Sequence, residues 1–176
     1  MAKSPRRKDY LKDYKQGESG KYEYSGKSYI YDGTREERKR SYVAVIVTAA
    51  LLTASVIGSG TIDAAGMVNT FYVIVPYIGE VCALFAIWWN LSKLLMEGEK
   101  VRGYIYENVN NKIPPACIIM VFFSVLGLVM SVVFQIFNGF EEKVFKCILY
   151  LALKVLNAVL AFLIKKYYNN LKWKVL

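Results

Sequence analysis

Histidine is absent from the 176 residues, which removes imidazole bases, His-containing triads, His-ligated zinc and His-held haem from the available chemistry. Cysteine is scarce, with three in all and no CxxC pair. Cys82, Cys117 and Cys147 fall at different depths of the apolar runs, whereas a disulfide needs Cα atoms within about 7 Å, so they read as small hydrophobes. Charge is missing over long stretches. There is none from Tyr42 to Ile62, only Glu80 from Met67 to Leu91, none from Ile113 to Phe140, and only Lys154 from Cys147 to Ile164. With Glu80 the one acid inside these stretches and no metal-ligand cluster, the expectation is a non-enzymatic protein without metal or cofactor.

Each run is long enough to cross a bilayer, since a hydrocarbon core of about 30 Å takes roughly 20 helical residues. Lipid offers no partner for free N–H and C=O groups, so these spans must be helical. The sequence thus predicts an all-α integral membrane protein, a four-transmembrane-helix bundle with spans near 42–62, 67–92, 114–138 and 145–165. Residues 1–40 form a basic, Tyr-rich N-terminal segment, residues 41–166 the transmembrane domain, and residues 167–176 a basic-aromatic tail.

Lys and Arg number 12 in residues 1–41, 4 in 93–113 and 4 in 165–176, while the connections on the other side hold only Lys143 and Lys146. The positive-inside rule puts both termini and the middle loop in the cytoplasm, and four crossings independently require the termini to share a side. The first span starts after too many charges to be a cleaved signal peptide. The acids Asp9, Asp13, Glu18 and Glu23 argue against an organellar transit peptide, which favours the plasma membrane.

The leading 20 residues read as disordered by default, with Arg6, Arg7 and Lys8 available to anionic headgroups. Polar and aromatic residues alternate from Lys21 to Tyr31 around Ser25-Gly26, which predicts a short β-hairpin needing a partner such as Tyr104-Ile-Tyr106. Thr34-Arg-Glu-Glu37 fits a capping box that starts the first helix before the membrane. The string GKYEYSGKS from Gly20 to Ser28 resembles a phosphate-binding loop in composition only. It has five residues between its glycines instead of four, and no strand–helix context is expected there. In the tail, Lys165, Lys166, Lys172, Trp173 and Lys174 read as a headgroup anchor in place of a nucleic-acid site. Trp88 and Trp89 read as interfacial anchors, and Pro114-Pro115 as the opening of the third span.

Helices in lipid associate through small residues and interhelical hydrogen bonds. The expected packing stripes are Ala50, Ala54 and Gly58 in the first span with Ser55 and Ser59 beside them, Ser124, Gly127, Ser131 and Gln135 in the third, and Tyr150, Lys154, Asn157, Ala158 and Ala161 in the fourth. Pro76 and Gly79 predict a kink in the second. Counted from the outer ends, Glu80 and Lys154 reach the same depth near the midplane. Alone, each would cost about 2.5–3.5 kcal/mol there, so an interhelical pair with Asn157 as further partner is expected. The expected function is an accessory, assembly or regulatory subunit of a larger membrane complex, or a homo-oligomer, in contact with anionic lipid. A small oligomeric transporter or channel built on the Glu80/Lys154 pair is the alternative.

Overall fold

The computed structural model of the chain describes residues 14–16, 22–62, 70–138 and 144–176. Four helices long and apolar enough to span a membrane dominate it: α1 (Arg35–Thr61), α2 (Phe71–Met96), α4 (Ile113–Asn138) and α5 (Val144–Asn169). A short helix, α3 (Gly103–Asn110), precedes α4. Five short strands complete the element order: β1 (Tyr14–Gln16), β2 (Tyr22–Tyr24), β3 (Ser28–Tyr31), β4 (Lys100–Arg102) and β5 (Trp173–Val175).

α1 starts where the capping box places it. The Thr34 side chain accepts from the Glu37 N–H at 3.2 Å, and the Thr34 N–H donates to the Glu37 carboxylate at 3.0 Å. α4 opens at Ile113 with two prolines in its first turn, where missing N–H groups would have no helical acceptor. In the bundle α4 lies between α2 and α5, and α1 packs on α5. α1 and α2 touch sparingly, where Trp88 Nε1 donates to Thr53 Oγ1 at 2.8 Å and where Tyr77 meets Gly60. Trp88 is therefore tied into the bundle, while Trp89 is exposed beneath the Lys93 ammonium. The outer surface is a band of exposed apolar side chains such as Val47, Phe85, Phe122 and Phe162, the pattern lipid contact demands.

The Tyr-rich segment departs from the expected hairpin. β2 pairs antiparallel with β1, and β3 is the middle strand of a separate sheet, β4-β3-β5. A hairpin would use only the local chain, whereas β3 finds partners on both sides, in the middle loop and the C-terminal tail. Tyr14–Gln16 is thus a strand, and the mostly helical chain adds two small sheets where a single hairpin was expected. Tyr104 and Tyr106 are helical, not strand; their rings still meet the sheet, Tyr106 stacking on Tyr29 at 4.0 Å and touching Trp173 at 5.3 Å. Val101, Val109 and Leu171 join the bundle core, so sheet and helices share one interior. Arg6, Arg7 and Lys8 lie outside the described residues.

Glu97 and Arg102 bracket the turn between α2 and β4. Glu97 Oε2 accepts from Arg102 Nε at 2.8 Å, a second guanidinium N–H meets Oε1, and Arg102 also donates to the Tyr14 hydroxyl at 3.1 Å. The guanidinium holds the Glu97 carboxyl below its usual range. A depressed folded-state pKa contributes stability above the unfolded value, about 4.3, that is lost as pH falls through the folded value. Glu97→Gln should therefore lower the thermal midpoint at neutral pH, with the gap to wild type closing below about pH 4. A gap independent of pH would show that the charge contributes nothing there.

Candidate functional site

The apolar register of α2 buries Val73, Pro76, Glu80, Ala83 and Ile87 on one side, and that of α5 buries Tyr150, Lys154, Asn157 and Ala161. Both stripes face α4, and they bring Glu80 and Lys154 together. Lys154 Nζ donates to Glu80 Oε2 at 2.7 Å, and both side chains are fully shielded, at 0% exposure. Asn157 Nδ2 adds a long bond to the same oxygen at 3.4 Å. The Tyr77 and Tyr150 rings stand 5.1 and 5.0 Å from the ammonium, where their π faces favour a cation.

α4 supplies the room. A Cβ on Gly127 would lie 3.5 Å from both Lys154 Cε and Pro76 Cβ, so the lysine stem crosses α4 at its glycine. Ser124 and Ser131 flank this crossing, buried at 0%, and Ser131 Oγ donates to the Gly127 carbonyl at 2.6 Å. Gly79 also serves close approach: a Cβ there would stand 2.5 Å from the Phe123 ring. α2 runs as one helix from Phe71 to Met96 with Pro76 inside it.

Two of the expected packing residues face outward. Ala50 and Ala54 are exposed, because α1 buries Val45, Ala49, Leu52 and Val56 instead, together with Ser55 and Ser59, which lie beside the expected stripe. Every residue in this stretch is apolar or small, so the pattern fixed a helix without fixing its rotation. Gly58 is half-buried against Leu153. Of the expected headgroup residues, Lys166, Lys172 and Lys174 are exposed, Lys165 is half-buried, and Trp173 spends its ring on Tyr106 in the sheet layer.

Sequence reasoning placed Tyr150 on the Lys154 face without giving its ring a role beside the cation, and missed Tyr77 altogether. Tyr77, three residues before Glu80, and Tyr150, four before Lys154, both sit at helical spacing from the charges, a signal that was available. No family model, curated protein or solved structure matches this chain. Its site is therefore read from geometry alone. Among the described residues no group of His, Cys, Asp or Glu could hold a metal ion.

Chemically, the site neutralises two charges against each other but leaves Glu80 Oε1 and Asn157 Oδ1 without a hydrogen-bond partner. A void of about 10 Å³ adjoins Tyr77 and Tyr150, close to the smallest space that accepts one water.

Removing one partner strands a buried charge and costs about 3–5 kcal/mol, whereas removing both is often near neutral. Lys154→Met and Glu80→Gln should each cut membrane accumulation severely, and the double variant should recover most of it; failure of the double variant would dissolve the pair as a unit. Gly79→Ala should destabilise the bundle in detergent and Gly127→Ala should be tolerated, which thermal unfolding of the two variants compares directly.

Proposed function

We propose that this chain is a non-enzymatic multi-pass membrane protein acting as an accessory, assembly or regulatory subunit of a larger membrane complex, with both termini cytoplasmic, in the plasma membrane. The observation that carries this reading is the direct, fully shielded contact between Glu80 and Lys154. A relay needs water or a chain of ionisable groups on both sides, while a latch needs only a good fit between two helices. Supporting it, the pairing of β3 with β4 of the middle loop and with β5 of the C-terminal tail presents a structured sheet beside the bundle, a surface a partner could read. Ala50 and Ala54 add a stripe of small residues facing outward on α1, the kind of face a neighbouring helix approaches closely.

The alternative, a small oligomeric transporter or channel, draws on the unpaired Glu80 Oε1 and Asn157 Oδ1, which a water or a proton could serve. Mild detergent extraction with a C-terminal tag separates the two readings. A stoichiometric second protein that is lost in Ala54→Phe, with the variant still folded, is the expected result. A clean homo-oligomer whose liposome flux falls in Glu80→Gln would replace the subunit reading with transport.

A further inference from the structure

At the end of the bundle where α1 begins and α2 stops, a cavity of about 410 Å³ is lined by Arg35, Arg38, Lys39, Tyr42, Val43 and Glu99. Five of the six come from one face of α1, at the i, i+3, i+4, i+7 and i+8 positions. The sixth comes from the turn after α2. In that turn Gly98 adopts a positive φ of 75°, and Arg38 donates to its carbonyl, which holds the turn against the start of α1.

The charge and the depth of this cavity belong together. α1 has 27 residues and is therefore about 40 Å long, some two turns more than a hydrocarbon core of about 30 Å requires. Its last charge is Arg40, so the surplus turns are those that bear Arg35, Arg38 and Lys39, at headgroup level. The wall then changes character: Tyr42 and Val43 are followed on the same outward side by the exposed Val47 and Leu51.

Three cations face one acid. Glu99 Oε1 lies 3.9 Å from both Arg35 and Arg38, and Arg35 and Glu99 are 92% and 72% exposed, a loose arrangement that solvent screens. The guanidinium of Arg38 is the fixed member, half-buried over the Tyr42 ring at 5.6 Å. Arg35 and Lys39 are free to close on a ligand with more negative charge than one carboxylate.

We infer that this cavity binds the phosphate headgroup of an anionic phospholipid, with Arg35, Arg38 and Lys39 around the phosphate and one acyl chain along Val43, Val47 and Leu51. The inference rests on the membrane-spanning reading of the bundle. A soluble phosphate would use the cations and leave the valine side unused; a lipid uses both.

The test uses the full chain in detergent micelles, with binding of phosphatidylglycerol and of phosphatidylcholine measured separately by native mass spectrometry. Phosphatidylglycerol should bind about tenfold more tightly, and Arg35→Gln/Lys39→Gln, both at exposed side chains, should remove that preference. Lys27→Gln/Lys112→Gln, an equal loss of charge at exposed residues outside the cavity, should leave it intact. An unchanged preference in the first variant, or an equal loss in the second, overturns the site. Displacement of the lipid by glycerol phosphate alone would assign the cavity to a soluble anion and overturn the lipid as well. Carbonate washing of the same protein in vesicles tests the underlying reading separately: release would reject the spanning bundle, and with it this site, whereas retention without lipid preference rejects the site alone.

Discussion

A carboxylate and an ammonium placed among apolar helices set the terms for everything packed around them. Neither Glu80 nor Lys154 tolerates hydrocarbon alone, so α2 and α5 are held at the one relative depth that joins them at 2.7 Å. α4 lies between those helices and carries small residues where the lysine stem crosses, Gly127 with Ser124 and Ser131 beside it. Phe123 of the same helix packs against the bare backbone of Gly79. Tyr77 and Tyr150 close the cation from the sides. One ion pair thus draws its surroundings from three helices.

A different constraint governs the terminal end. Several long helices exceed what the hydrocarbon requires, and their projecting ends carry backbone that must find partners. β3 meets that need centrally, pairing with β4 after α2 and with β5 after α5, while three residues separate it from α1. Asp32 N–H donating to the Lys172 carbonyl extends the tie beyond the ladder. The sheet therefore fixes the spacing of α1, α2 and α5 at one end, and the ion pair fixes α2 against α5 in the middle.

The sequence revealed whatever depended on length, charge and local spacing. The four apolar helices, the Thr34 capping box, the proline opening of α4 and the equal depth of Glu80 and Lys154 all follow from counting along the chain. The strand partners did not, because alternation at Lys21–Tyr31 indicates extended backbone without saying which distant segment pairs with it, and β3 uses two segments some 70 and 145 positions away. The rotation of α1 was equally hidden. In water a polar face marks the outside of a helix, but in lipid both faces of Tyr42–Ile62 are apolar, so Ala50/Ala54 and Ala49/Ser55 were equivalent candidates for the interior.

That last point bears on why polar groups are buried here at all. Between helices in lipid, apolar contact barely distinguishes one arrangement from another, since the tails outside are as apolar as the side chains inside. Unpaired polar atoms come from every long helix: Ser55 Oγ from α1, Glu80 Oε1 from α2, Ser124 Oγ from α4 and Asn157 Oδ1 from α5. As contributions to stability they are poor, because a buried pair roughly offsets its own desolvation and orphaned acceptors add cost. As determinants of arrangement they are effective, because any rotation of α2 or α5 that turned Glu80 or Lys154 toward lipid would expose a full charge. The bundle gives up some stability at its centre and obtains a single packing among many that hydropathy alone would permit.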